Sequence, residues 1–168
     1  MANKRTVLVI GAGIAGLQAS INLAKAGLSV YLVEEKPCIG GHTALLSKVF
    51  PTLQDAKKLL NPIVQTLTKN PSVKTLTYSE IERVEGAVGN FGVRVSRKAR
   101  YVDEQRCNLC GECAKVCPVN VPKDYEMGLG TRKAIYLPSP YPHPEKFLID
   151  KETCLYFKDK SCHACKDA

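Results

Sequence analysis

Four closely spaced cysteines constrain this chain more than any other feature of its sequence: Cys107, Cys110, Cys113 and Cys117, with Pro118 directly after them. In a Cys-x2-Cys-x2-Cys-x3-Cys-Pro run, three neighbouring thiolates hold one iron–sulfur cluster and the fourth thiolate ligates a second cluster. A structural zinc site is the alternative, but zinc favours two separated Cys-x2-Cys or Cys/His pairs. The run therefore predicts [4Fe-4S] ligation.

A second run supplies three further cysteines, Cys154, Cys162 and Cys165. If the fourth thiolate crosses over, these three and Cys117 complete one [4Fe-4S] cluster. Cys107, Cys110 and Cys113 then lack a fourth ligand. That ligand would be a fourth cysteine of the second run, which the pattern places one position past Ala168. We favour a truncated sequence over a partner-supplied ligand or a three-iron cluster. His163 lies between two predicted ligands and is interpreted as a spacer.

A glycine-rich turn near the start of the chain predicts a dinucleotide-binding unit. Gly11, Gly13 and Gly16 follow the apolar run Thr6–Ile10 and open a helical pattern. The apolar run is typical of a strand buried on both faces of a parallel sheet. Gly11 permits the tight turn, Gly13 lets the backbone approach a pyrophosphate, and Gly16 allows close packing of the helix.

The end of the next strand narrows the choice of nucleotide. The apolar run Leu28–Val33 ends in Glu34, whose carboxylate is expected to accept from ribose hydroxyls. A carboxylate there disfavours the 2′-phosphate of NADP, which leaves NAD and the ADP half of FAD. Gly40 and Gly41 favour FAD, because this spacing resembles GR2-type flavoproteins, in which a second glycine pair also approaches the FAD phosphates. A degenerate Rossmann fold without cofactor is the alternative.

Two reactive side chains flank that glycine pair. Cys38 is interpreted as a small loop residue rather than a redox thiol, because no resolving cysteine accompanies it. His42 is compatible with contact to a flavin edge or with an ordinary loop position, and the sequence does not decide between these.

The remaining patterns give an α/β organisation in two parts. Leu53–Leu67 is helical in pattern, with Pro62 expected to break it into two shorter helices. Val73–Thr77 predicts a strand, and residues 81–85 and 91–95 predict a hairpin.

Composition changes near residues 97–102, so we expect a Rossmann-like GR2-type FAD-binding β-α-β domain over 1–98, then a bacterial-type two-cluster ferredoxin domain over 99–168. The segment SPYPHP at 139–144 predicts an extended linker or surface strap.

Composition and charge exclude several classes of protein. No apolar run approaches the roughly 18 residues of a membrane span, and no secretory signal pattern is present, so we expect a cytoplasmic protein. The formal net charge of +8 is divided evenly, with +4 on residues 1–90 and +4 on residues 91–168. Without a basic tail or patch, nucleic acid is not an expected partner.

Taken together, the chain resembles the family of heterodisulfide reductase A subunits over almost its whole length. Besides both cysteine runs and the glycine turn, the resemblance rests on short segments: Tyr31-Leu-Val-Glu34, Ile39-Gly40-Gly41, Phe50-Pro-Thr52, Thr77-Tyr-Ser-Glu80, Val84-Glu-Gly86, Gly89-Asn-Phe91, Arg100-Tyr-Val-Asp103 and Gly128-Leu-Gly-Thr-Arg-Lys-Ala-Ile-Tyr136.

The resemblance implies an FAD and iron–sulfur subunit that moves electrons among a hydrogenase or other dehydrogenase, ferredoxin and a disulfide-reducing partner, in some members by flavin-based bifurcation. Many members carry a further Cys-x2-Cys after the Phe-Pro-Thr segment, and here Leu53 and the residues after it replace that motif. Members are also much longer, and their later residues complete the flavin site around the isoalloxazine.

Two functional hypotheses from different classes follow. The first is an electron-transfer oxidoreductase subunit in which flavin handles electron pairs and the clusters pass single electrons. The second is a non-catalytic electron-relay module whose Rossmann part is only a docking scaffold for a separate flavoenzyme. No catalytic Ser/His/Asp or paired-carboxylate set is present, so no residue is expected to act as a catalytic group itself.

Overall fold

The computed structural model of the chain describes residues 5–123 and 126–168. These residues form two compact units. The first unit extends to Ala99 and also takes in Ser139–Pro144. The second unit comprises Arg100–Pro138 and Glu145–Ala168.

The first unit is built on a three-stranded parallel sheet. Its strands are β1 (Thr6–Ile10), β2 (Ser29–Glu34) and β5 (Val73–Thr77), in the order β1-β2-β5. Thr6 pairs with Ser29 at one end of the β1–β2 ladder, and Glu34 pairs with Thr77 at the end of the β2–β5 ladder. The predicted β-α-β unit and the predicted strand at Val73–Thr77 are therefore present.

Two helices share one apolar core with Leu32 of β2. Helix α1 spans Ile14–Lys25 and helix α2 spans Ala56–Thr68. Asp55 caps α2, since its side chain accepts from the Lys58 amide. The shared core is apolar throughout and includes Leu17, Ile21, Leu32, Leu60, Val64 and Leu67.

The expected break of α2 at Pro62 is wrong, because the helix continues through it. An interior proline removes one helical hydrogen bond and costs about 3 kcal/mol. The buried stripe of α2 spans the proline, with Leu60 before it and Val64 after it. Since both turns pack in one core, tertiary burial holds them in line and offsets the local cost.

The expectation that β1 is buried on both faces is also wrong. Ile10 is 67% exposed, and the middle of the strand is only half-buried. Within the described residues β1 pairs with β2 alone, and both helices cover the face that carries Leu32. On the other face of β2, Tyr31 is 40% exposed while Val33 is buried.

Shorter elements complete the first unit. A 3₁₀ helix at Gly41–Leu45 follows β2, and β3 (Lys48–Val49) pairs with β4 (Gln54–Asp55). The predicted hairpin is confirmed as the antiparallel pair β6 (Ser79–Ala87) and β7 (Asn90–Arg97).

The second unit has short elements around a small core. Its strands form two antiparallel pairs: β8 (Asn120–Pro122) with β9 (Thr131–Lys133), and β10 (Ile135–Tyr136) with β11 (Leu148–Ile149). Its helices are α3 (Glu112–Lys115), α4 (Leu155–Asp159) and α5 (Ala164–Asp167). The buried core is Cys117, Ala134, Ile135 and Phe147, with several other cysteines packed against it. No helix in the described parts of either unit is long and apolar enough to cross a membrane.

Candidate nucleotide site and cysteine clusters

The first glycine turn connects β1 to α1. The Gly11 amide donates to the Val33 carbonyl at 2.7 Å, and Gly11 has a φ of +92° that favours glycine. Gly13 precedes the helix with extended backbone, and the Leu17 amide donates to its carbonyl at 2.9 Å. A Cβ on Gly13 would meet nothing within 4 Å. The first turn of α1 therefore presents backbone amides beside open space, as an anion site requires.

Gly16 lies where the helix touches the turn. A Cβ at this position would overlap the carbonyl oxygen of Gly11. Only glycine permits this approach of helix to turn, so the close-packing role expected from the sequence agrees with the geometry.

Glu34 lies at the end of β2, only 8% exposed, beside the same turn. Its Oε2 accepts from the Ala12 amide at 2.6 Å, and its Oε1 accepts from the Lys36 amide at 2.8 Å. These two bonds stabilise a buried carboxylate and fix the glycine turn relative to β2. The amide partners of Glu34 were not foreseen from the sequence, because Ala12 lies 22 positions earlier.

The second glycine pair lies against the first turn. The Gly40 amide donates to the Ala12 carbonyl at 2.7 Å. Gly41 has a φ of +56°, and a Cβ on it would come within 3.1 Å of the Gly13 Cα. Gly40 is packed on its other side against Leu60. The structure therefore brings together all six residues predicted for the nucleotide: Gly11, Gly13, Gly16, Glu34, Gly40 and Gly41.

A cavity of about 470 Å³ opens at the carboxyl ends of β1 and β2. Its walls include Ile10 and Glu34 from the sheet, Gly11 from the turn after β1, and Ser79 and Ile81 from the start of β6. Nucleotides bind outside the carboxyl ends of the strands in open α/β sheets. Ser79 and Ile81 were not among the predicted site residues, since a hairpin pattern does not indicate which strand end it will face.

The two reactive side chains near the glycine pair occupy different environments. Cys38 is buried in the loop that follows β2, at 8% exposure. His42 is exposed on the 3₁₀ helix. The loop interpretation of Cys38 agrees with this placement.

The first cysteine run forms a loop that leads into α3. Cys107 and Cys110 lie before the helix, Cys113 lies within it, and Cys117 follows it and is buried. Burial raises the pKa of the Cys113 thiol above its ordinary value, although the Ala114 amide opposes this. The neighbouring thiols of Cys110, Cys107 and Cys165 raise that pKa further.

The second run has Cys117 as an electrostatic neighbour. Burial raises the pKa of the Cys165 thiol above its ordinary value. Three neighbouring thiols raise it further, those of Cys154, Cys117 and Cys162. A set of thiols that disfavour one another's ionisation is stabilised when iron takes the place of their protons. Cys117 is thus a neighbour of the second run, as crossover ligation requires, while Cys165 is also a neighbour of Cys113 in the first run.

Polar groups outside the cysteines hold the two runs in place. The Lys146 ammonium donates to the Cys107 carbonyl at 2.8 Å, and the Cys154 amide donates to the Asp150 carbonyl at 3.0 Å. Arg132 donates to Asp150 Oδ2 at 2.8 Å and holds the pKa of that carboxyl below its usual range, although burial opposes the shift. Lys146 and Asp150 carried no recognisable signal in the sequence.

His163 packs edge-on against Tyr156, with 5.1 Å between ring centroids. This contact fits the spacer interpretation of His163. Within residues 5–123 and 126–168, no group of three Cys, His or acidic side chains converges on a position for a single metal ion.

Comparison with known proteins places this architecture. Residues 6–105 match the family of FAD dependent oxidoreductases, and residues 100–123 match the 4Fe-4S binding domain. The iron-sulfur A subunit of CoB–CoM heterodisulfide reductase from Methanocaldococcus jannaschii is 45% identical over 164 residues, which cover 98% of this chain and 24% of that protein. The A subunit of H(2):CoB-CoM heterodisulfide,ferredoxin reductase from Methanothermobacter marburgensis is 41% identical over 148 residues, 88% of this chain and 22% of that protein.

A solved structure, the L-proline dehydrogenase from P. horikoshii, is 28% identical with a TM-score of 0.47 and covers 58% of this chain and 20% of that one. The chain spans about a quarter of the length of the curated relatives it matches. An FAD oxidoreductase domain and a 4Fe-4S binding domain are both present in it. The chain therefore belongs to the FAD dependent oxidoreductase family and is a relative of the heterodisulfide reductase A subunits.

Proposed function

We propose that this chain binds FAD and two [4Fe-4S] clusters and passes electrons between them. The observation that carries the proposal is the junction of the two glycine turns, where Gly40 donates to Ala12 and Ala12 donates to Glu34 beside the open cavity. Gly11, Gly13 and Gly16 would hold the pyrophosphate, Gly40 and Gly41 would approach it from the second turn, and Glu34 would accept from ribose. When bound, FAD takes up or gives an electron pair.

For the clusters, we propose ligation by the two cysteine sets. Cys117, Cys154, Cys162 and Cys165 would hold one [4Fe-4S] cluster, and Cys107, Cys110 and Cys113 would hold another that lacks a fourth ligand from the described residues. The first set is supported by the thiols that act on Cys165, which are those of Cys154, Cys117 and Cys162. Thiolate-bound clusters pass single electrons at low potential.

The whole protein would act as an oxidoreductase subunit of a heterodisulfide reductase-like complex. The relatives' names support this: one belongs to an H(2):CoB-CoM heterodisulfide,ferredoxin reductase. Its partners would be other subunits of that complex, a hydrogenase or dehydrogenase, and ferredoxin. We place it in the cytoplasm, where a reducing environment keeps cysteines available as cluster ligands. The domain limits 1–98 and 99–168 remain a proposal, with the segment at 139–144 packing on the first unit.

One observation favours the electron-relay module. Both oxygens of Glu34 already accept from backbone amides, which is compatible with a purely structural carboxylate. An ionised carboxylate has about four lone-pair sites, however, so two remain for ribose hydroxyls.

Flavin content distinguishes the two functions. The protein would be prepared without oxygen, and its FAD, iron and inorganic sulfide measured, followed by addition of a reduced electron donor. Stoichiometric FAD that is bleached by the donor supports the oxidoreductase. Iron and sulfide without FAD would contradict it and support the relay module. A colourless protein would contradict both and indicate a zinc-stabilised binding protein.

A further inference from the structure

The proline-rich segment Ser139–Pro144, called the strap here, belongs to a different unit from the chain on either side of it. Arg100–Pro138 and Glu145–Ala168 belong to the second unit, whereas the strap packs within the first unit. It forms part of the connection between β10 and β11, which pair with each other. Because β10 and β11 belong to the second unit, contacts within the first unit are needed to hold the strap in the first unit.

Two contacts hold the strap. The Ile39 amide donates to the His143 carbonyl at 2.8 Å. The Lys57 ammonium lies 4.9 Å from the ring centroid of Tyr141, within reach of a cation–π interaction. Ser139 and Pro142 are buried, so the strap is packed as well as tethered. It therefore touches both the loop after β2 and the first turn of α2.

The first of these contacts continues into the nucleotide site. Ile39 directly precedes Gly40, whose amide donates to the Ala12 carbonyl at 2.7 Å. The Ala12 amide then donates to Glu34 at 2.6 Å. One hydrogen bond joins the strap to Ile39, and the peptide bond after Ile39 leads to Gly40. Two further hydrogen bonds then join Gly40 to Ala12 in the first glycine turn, and Ala12 to Glu34.

Glycine segments need such support more than others do. Gly40 and Gly41 both have positive φ, and glycine loses more conformational freedom on ordering than any other residue. A ligand that has to order this pair itself binds more weakly, because the ordering cost is subtracted from its affinity. An element that orders the pair beforehand raises the affinity.

We propose that the strap is a positioning element for the nucleotide site, which holds the second glycine pair against the first glycine turn. The inference rests on the proposed FAD site and adds to it a segment from the cysteine-rich half of the sequence. Tyr141 and Lys57 are positioning residues, because they act on the glycine pair through the strap and not on the nucleotide.

The test uses ADP as the probe and the 168-residue chain with its clusters reconstituted without oxygen. Lys57→Gln and Tyr141→Leu each remove the cation–π contact, whereas Lys57→Arg and Tyr141→Phe keep it. Lys58→Gln removes the same charge from the next position of α2 and is the matched control. ADP affinity is measured by calorimetry, and exchange of the Ile39 amide by NMR.

In both disruptive variants, the Kd for ADP should rise about twofold to fivefold, and the Ile39 amide should exchange faster. The two conservative variants and the control should stay at wild-type values in both measurements. If the wild type binds ADP but either measurement is unchanged in the disruptive variants, the strap proposal is overturned. If the wild type binds no ADP, the proposed flavin site itself is overturned, and with it the strap's role in binding.

Discussion

Glu34 is a buried carboxylate that links two loops beside the cavity. A buried carboxylate is costly unless hydrogen bonds stabilise it, and here two backbone amides do so. Those amides belong to the two loops that frame the cavity, one before α1 and one after β2. The carboxylate therefore shapes the site before any nucleotide arrives.

Replacement of Glu34 should affect stability as well as binding. In Glu34→Gln the side chain keeps one acceptor oxygen, and its carboxamide NH2 group faces a backbone N–H. Two donors then face each other, so one of the two hydrogen bonds is lost. We expect the free energy of unfolding without nucleotide to fall by about 1–3 kcal/mol. ADP affinity should fall by about tenfold, equivalent to about 1.4 kcal/mol. Thermal unfolding and calorimetry measure the two effects.

The matched control is Glu82→Gln, which removes the same charge from an exposed position of β6. Equal effects of the two substitutions would show that only net charge matters. Lost ADP binding with unchanged stability would show that the bonds to Ala12 and Lys36 contribute nothing to the fold.

At the scale of elements, local pattern and tertiary packing disagree in two places. Pro62 predicted a broken helix, but α2 is continuous because both of its halves pack in one core. The apolar run of β1 predicted burial on both faces, yet a strand's neighbours decide its burial and not its own composition. The strands β1, β2 and β5 and the hairpin followed from periodicity and turn residues, whereas the short strands β3, β4 and β8 to β11 were not predicted.

Two glycines of the first turn should respond differently to alanine. Gly16→Ala places a methyl group onto the Gly11 carbonyl, so we expect it to destabilise the fold by about 1–3 kcal/mol. Gly13→Ala has open space for its methyl group and a φ of −71°. Its stability should change by no more than about 0.5 kcal/mol, while its ADP affinity falls because the methyl group occupies the approach to the pyrophosphate.

Unfolding and ADP titration of both variants check this pair. Undiminished ADP binding by Gly13→Ala would argue for a Rossmann fold that has lost its cofactor. A Gly16→Ala variant as stable as the wild type would contradict the close approach of α1 to the turn.

At the scale of the whole molecule, the strap lies between two segments of the second unit in sequence but belongs to the first unit in space. Motif spacing predicted the glycine and cysteine sites because each is local in sequence, or nearly so. The contact between Ile39 and His143 joins residues more than a hundred positions apart and leaves no periodic signal. Alternating prolines indicated an extended segment, but not the surface on which it packs.

Loss of iron should therefore weaken nucleotide binding. Cys117 belongs to the buried core of the second unit and other predicted ligands pack against that core, so under the proposed ligation its fold would depend on iron. Both ends of the strap continue into that unit. Removal of iron by an anaerobic chelator should lower ADP affinity in the wild type and lower it little further in Lys57→Gln. Equal losses in the two proteins, or no loss in the wild type, would contradict this coupling.

The proposed cluster ligands are tested most directly by the iron and inorganic sulfide content of three anaerobically reconstituted proteins: wild type, Cys162→Ser and Cys38→Ser. The wild type should contain equal amounts of iron and sulfide. Cys162→Ser should lose about half of each, because it affects one cluster of two, and Cys38→Ser should lose none. Zinc without sulfide in the wild type, or an equal loss in both variants, would contradict the two-cluster assignment.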